Sequence, residues 1–96
     1  MDYRLFFTQR ALDDLAEIIA YIAEDDLDAA SRFGNSLLDH VDLLRRFPRM
    51  AGAIRKRSQV RKLVHSPLLI YYQVHDDARL VEILHCRHGL RKLPKF

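Results

Sequence analysis

Cysteine occurs once in these 96 residues, at Cys86, so no intrachain disulfide can form and a chain of this length has to be held by its core. That usage fits a reducing compartment, and a cytoplasmic location is the expectation. Tryptophan is absent, and there are only three glycines and three prolines, which rules out collagen-like and Pro/Gly-rich low-complexity chains. No internal repeat is visible. No apolar run approaches the roughly 20 residues that a membrane-spanning helix needs. The N-terminus has no basic segment followed by a long apolar run, so no secretory signal is expected. Acidic residues are scarce in the second half. Residues 49–96 hold eleven Arg/Lys against Asp76, Asp77 and Glu82, whereas residues 1–48 hold five Arg/Lys against ten Asp/Glu.

What remains is an ordinary globular composition, 49% hydrophobic and 30% charged, and a single domain over 1–96 is expected. The charge split has two readings. The basic half meets a polyanion, or an acidic helical layer and a basic sheet attract each other.

Tyr3 to Phe7 is a short aromatic-rich apolar run that reads as a strand. Thr8 then offers an N-cap. Leu12, Leu15, Ile18, Ile19 and Ile22 recur at helical spacing, predicting a helix over Gln9–Glu24 with Asp13 and Asp14 in its first turn. Asp26 or Asp28 caps a second helix, whose stripe is Ala30, Phe33, Leu37, Val41 and Leu44, and Pro48 stops it. Gly34 on that helix suits a close approach to its neighbour. After an irregular stretch over 48–59 come three strands. The last two form a hairpin about Asp76-Asp77-Ala78, and in the middle one Ile70, Tyr72 and Val74 face the core while Leu69, Tyr71 and Gln73 face outward. Helices followed by a run of antiparallel strands predict an α+β domain. Its two layers follow the order β-α-α-β-β-β, with a helix hairpin packed on a small, mainly antiparallel sheet.

An ordered series of segments carries a family resemblance over nearly the whole chain. It runs from Ala11-Leu12-Asp13-Asp14-Leu15 and Ala29-Ala30-Ser31-Arg32-Phe33 through Leu43-Leu44-Arg45-Arg46-Phe47-Pro48 to Val60-Arg61-Lys62-Leu63-Val64. Ile70-Tyr71-Tyr72-Gln73-Val74, Val81-Glu82-Ile83-Leu84 and His88-Gly89-Leu90-Arg91 complete it. The chain resembles the RelE/ParE superfamily of toxins from type II toxin–antitoxin modules, in which no single motif is specific. The resemblance implies the same β-α-α-β-β-β fold, no cofactor, and a small antitoxin as partner. The basic sheet predicts that the antitoxin has an acidic, amphipathic tail. It also implies one of two activities: poisoning of DNA gyrase by ParE-like members, or metal-independent cleavage of ribosome-bound messenger RNA by RelE-like ones. Lys62 matches a RelE-type lysine, but Leu69 and Gly89 stand where that branch has arginines, which favours the ParE-like branch. His85 and Arg87 stand where ParE-like chains usually carry an arginine and an apolar residue, and with His88 they resemble the His/Arg clusters of RNA-cutting branches. An inactive remnant that still binds antitoxin is the third reading.

RNA cleavage through the 2′-hydroxyl needs a base, an acid and cations for the charge that builds on phosphorus. Lys62, Arg87, His88 and Arg91 are the candidates for that chemistry. Strict alternation from an outward Glu82 puts His88 on the open face and His85 and Arg87 opposite, which makes His85 the weaker candidate. Arg55, Lys56, Arg57, Arg61 and Tyr71 are the candidates for holding an anionic partner, Tyr71 by stacking on a base. His65, His75, His85, Cys86 and His88 include zinc donors, but their spacing matches no known ligand pattern and no metal site is expected.

Overall fold

The computed structural model describes residues 2–55 and 59–89. The expected order is observed: strand β1 (Arg4–Phe7), helices α1 (Gln9–Asp25) and α2 (Leu27–Asp42), a short 3-10 turn at Leu43–Arg45, then strands β2 (Arg61–His65), β3 (Leu68–His75) and β4 (Leu80–His88). The four strands form one sheet in the order β1-β4-β3-β2. β1 runs parallel to β4, and the other two pairings are antiparallel. Both helices cover one face, so the domain is an α+β two-layer fold. Among the described residues no helix is long and apolar enough to cross a membrane.

Local chemistry explains the element boundaries. Thr8 ends β1 and caps α1, its Oγ1 accepting from the Ala11 amide at 3.1 Å, and Asp26 caps α2 by accepting from the Ala29 amide at 3.0 Å. Each satisfies one of the amides that a helix start leaves open. α1 starts at Gln9 as predicted, but counted from there Asp13 and Asp14 fall in its second turn and not, as expected, in the first. Asp13 accepts from Gln9 Nε2, and Asp14 turns toward the sheet.

The core joins Ala11 of α1 and Leu37, Val41 and Leu44 of the second helical segment to Leu63, Leu68, Ile70, Tyr72, Val81, Ile83 and Cys86 of the sheet. Ala11 is fully buried while Leu12, expected on the apolar stripe, is 48% exposed. Close approach of α1 to β4 leaves room there for a methyl group only. A Cβ built on Gly34 would lie 3.6 Å from Ile19 Cδ1, an ordinary contact. Gly34→Ala is therefore expected to stabilise the chain by about 0.5–1 kcal/mol in urea denaturation, because alanine costs less chain entropy in a helix interior.

Two polar contacts tie α2 to β2 at His65: its Nδ1 lies 2.8 Å from His40 Nδ1 and its Nε2 3.4 Å from Ser36 Oγ, with Phe33 edge-on to the ring. A bond between two such nitrogens requires one of them to be unprotonated. Burial, and then the neighbouring His40, push the His65 pKa below 6.5, and burial does the same to His85. The unfolded chain therefore binds these protons first, and stability is lost as pH falls from 6.5 toward the lower folded-state values. A urea midpoint that declines across this window, with a shallower decline in His65→Gln, is the expected result.

Candidate functional site on the open sheet face

The sheet face away from the helices carries the chemistry. Lys62 of β2 lies opposite Tyr71 of β3, Tyr71 lies opposite His85 of β4, and Leu69 lies opposite Arg87. Ile70 and Tyr72 are fully buried on the other face, so Tyr71 points outward. Its ring stacks on His85 with centroids 4.6 Å apart and planes 18° apart, and the Arg87 guanidinium stands 5.9 Å from the same ring. Lys62, Tyr71, His85 and Arg87 thus form one group across three strands.

A bulge in β4 makes this grouping and corrects the expected phase. The register with β3 shifts between Tyr71 and Tyr72: Tyr72 pairs with Ile83 but Tyr71 with His85, so Leu84 is the extra residue. The strand changes phase there. Val81, Ile83 and Cys86 face the helices, and Glu82, His85 and Arg87 share the open face. Strict alternation had assigned His85 and Arg87 to the wrong side. His88 shares the helix-side phase of Cys86 and lines a groove of about 610 Å³ with Arg10, Asp14, Ile18 and Phe33. The sequence held a signal for this: Ile83 and Leu84 are consecutive apolar residues, and the pattern resumes one place later at Cys86.

The bulge is held from α1. β1 ends opposite Ile83, so the outer edge of β4 beyond it has no strand partner. The Thr8 hydroxyl donates to the Leu84 carbonyl at 2.7 Å, and the Cys86 amide donates to Asp14 Oδ2 at 3.0 Å.

His85 sits in a mixed field. Burial lowers its pKa most, Arg10 and Arg87 lower it further, and Asp14 opposes them. The imidazole is therefore neutral at pH 7, the state of a general base rather than of an acid. Its Nδ1 is buried without a hydrogen-bond partner. The Cys86 thiol is pushed up to about 12, by burial first and Asp14 second, which leaves it protonated and unreactive.

The remaining candidates scatter. Arg61 has the helix-side phase of Tyr72 and donates to the Ala51 carbonyl at 2.6 Å, so it fastens the preceding loop. Arg55 is exposed in that loop. Lys56, Arg57 and Arg91 lie outside the described residues. His75 bonds Glu82 at 2.8 Å and His65 bonds His40, so the imidazoles that could serve as zinc donors are spread over both faces. No trio of His, Cys, Asp or Glu among the described residues is arranged to hold a metal.

The positions that distinguish the branches, Leu69 and Gly89, lie side by side. A Cβ on Gly89 would come within 3.3 Å of Leu69 Cγ and of the Pro67 carbonyl oxygen, to which the Gly89 amide already donates at 2.7 Å. A side chain at position 89 must push Leu69 or the backbone aside. Gly89→Arg is expected to cost about 1–3 kcal/mol through this crowding, read as a lower urea midpoint with an unchanged slope.

Comparison with known proteins agrees with this architecture. Residues 5–93 match the family model for the ParE toxin of the parDE type II toxin–antitoxin system. A candidate toxin of Sinorhizobium fredii, Y4kP, is 37% identical over 84 residues, 85% of this chain and 86% of that protein. The chromosomal ParDE system of P. aeruginosa contains a chain that superposes with a TM-score of 0.74 at 21% identity, covering 90% of this chain and 95% of that one. The RelBE2 toxin–antitoxin complex of Mycobacterium tuberculosis gives 0.64 at 23%, covering 92% and 99%. Isolated E. coli RelE gives 0.62 at 22%, covering 94% and 87%. At these identities the structural likenesses show the fold.

Proposed function

This chain belongs to the ParE toxin family of type II toxin–antitoxin systems, and from that premise we propose that it arrests growth by engaging DNA gyrase until a cognate antitoxin neutralises it. The observation that carries the ParE-like reading is the placing of Leu69 beside Gly89, where a side chain on residue 89 would crowd Leu69. RelE-like members place arginines at both positions by the resemblance, and here neither cation is present and the second position is tight for any side chain. Gyrase engagement is a protein–protein activity, and an open face with an aromatic residue flanked by arginine and lysine has the composition of an interface centre. The antitoxin partner is expected to bring an acidic, amphipathic tail to the basic half of the chain.

A second reading rests on the group at Tyr71. A neutral imidazole, a stacking ring, a lysine and an arginine on one face suit cleavage through a 2′-hydroxyl: His85 takes the hydroxyl proton as base, Arg87 and Lys62 offset the phosphate charge, Tyr71 stacks on a base, and the leaving 5′ oxygen takes its proton from water.

One pair of assays separates the two. The purified chain is incubated with gyrase, ATP and relaxed plasmid, and message from cells induced without antitoxin is mapped by primer extension. Loss of supercoiling or trapped cleavage complexes, with intact message, is the expected result. New 5′ ends inside translated regions with unimpaired gyrase would replace it with RNA cleavage. Neither effect would leave an antitoxin-binding remnant.

A further inference from the structure

The geometry points to Asp14 as the positioning residue of the open face, holding the β4 bulge through the Cys86 amide so that His85 and Arg87 stand beside Tyr71. This deepens the reading of that face as the working surface and, for its effect on toxicity, rests on it.

Three observations support the assignment. First, β1 ends opposite Ile83, so the outward backbone groups of Leu84 and Cys86 have no strand to pair with. Side chains from the start of the first helix take both: Thr8 donates to Leu84 and Asp14 accepts from Cys86. Buried backbone donors are almost always paired, Cys86 is 4% exposed, and Asp14 is the partner its amide has here. Second, the two bonded residues bracket His85. The bulge lies between them, and its phase decides which face the His85 and Arg87 side chains occupy. Third, Asp14 has no strong competing partner. Arg10 Nε is 3.9 Å from the same carboxylate oxygen and the Arg10 side chain is 71% exposed, so that pair is weak. Asp14 also lies at helical position six, well past the turn in which a carboxylate serves the helix dipole. Thr8 is already committed to capping α1, which leaves Asp14 as the member of the pair whose side chain serves β4 alone among the backbone contacts of this edge.

The test compares Asp14→Asn, which keeps an oxygen acceptor in place, with Asp14→Ala, which removes it. In the full-length 15N-labelled chain, Asp14→Ala is expected to lose at least about tenfold in protection of the Cys86 amide from hydrogen exchange. The His85 ring protons should also lose the upfield shift that stacking on Tyr71 gives them. Asp14→Asn is expected to retain both, while lowering the His85 titration midpoint because the carboxylate charge is gone. A merely stabilising role would lower the global midpoint and leave the ring shift in place. Should Asp14→Ala not fold, Asp14→Ser, whose hydroxyl is too short to reach the amide, is read in the same way. Unchanged amide protection and ring shift in the truncated variant would overturn the assignment. Growth arrest is scored separately. Spectra that change as expected while arrest persists would retain Asp14 as the clamp and reject the open face as the working surface.

Discussion

Tyr72→Ala is expected to cost about 3–5 kcal/mol of folding stability, the largest effect of any single truncation in this chain. Tyr72 is the largest of the fully buried side chains. It lies mid-sheet, opposite Arg61 on one side and Ile83 on the other. Its hydroxyl donates to the Pro48 carbonyl at 2.8 Å, linking the sheet to the segment that leaves the second helix. Truncation opens a cavity of nearly a whole ring and strands that carbonyl at once. Tyr72→Phe keeps the packing and loses only the bond, so about 1 kcal/mol is expected. Domains of this size carry a total stability of roughly 5–15 kcal/mol, and the alanine variant should therefore melt tens of degrees earlier or fail to accumulate. Urea titrations of the two variants check this. If both lose the same amount, the hydrogen bond and not the ring is what matters here.

Arg87→Ala is expected to abolish growth arrest while leaving the fold and its urea midpoint in place. The side chain is exposed and its described contact is with the Tyr71 ring, so little packing is lost. Functionally the residue stands beside Tyr71, the centre of the group. An arginine anchor in a protein interface, or a cation facing a developing phosphate charge, is worth about 2–4 kcal/mol, a factor of roughly 30 to 900 in binding or rate. Arg32→Ala on the exposed side of α2 is the control and should remain fully toxic. Wild-type arrest by the Arg87 variant would remove the open face from consideration under both readings. If RNA cleavage is what is lost, its pH profile is informative: a base whose pKa lies below 6.5 keeps cleavage active under mildly acid conditions.

Much of the architecture could be read from residue order. Caps at Thr8 and Asp26, the stripe through Ala30, Leu37 and Val41, and the alternation of Ile70 and Tyr72 are short-range signals, and the structure follows each of them. Two features could not be read because they depend on distant neighbours. Ala11 outranks Leu12 in the core because α1 lies close against β4. The bulge at Leu84 exists because Thr8 and Asp14 satisfy backbone groups that lie more than 70 positions away in sequence. The candidate site suffered more than the fold, since a shift of one residue exchanges the two faces of a strand. Tyr71, where pairing is still in phase, lies on the outward face that alternation predicts, whereas His85, Arg87 and His88, which follow the bulge, lie on the face opposite to the predicted one.

The first and last strands lie side by side, with Arg4 opposite Leu80 and Phe7 opposite Ile83. During synthesis β1 and both helices leave the ribosome with their central sheet partner still unmade. Pairings this far apart in sequence close late. With translation at about 5–20 residues per second, the chain spends seconds as a helix hairpin beside an unpaired edge. Only when residues 80–88 arrive do His85 and Arg87 join Lys62 and Tyr71. The open face is therefore assembled last and in one step, since neither β1 nor β3 has its β4 partner until residues 80–88 are made.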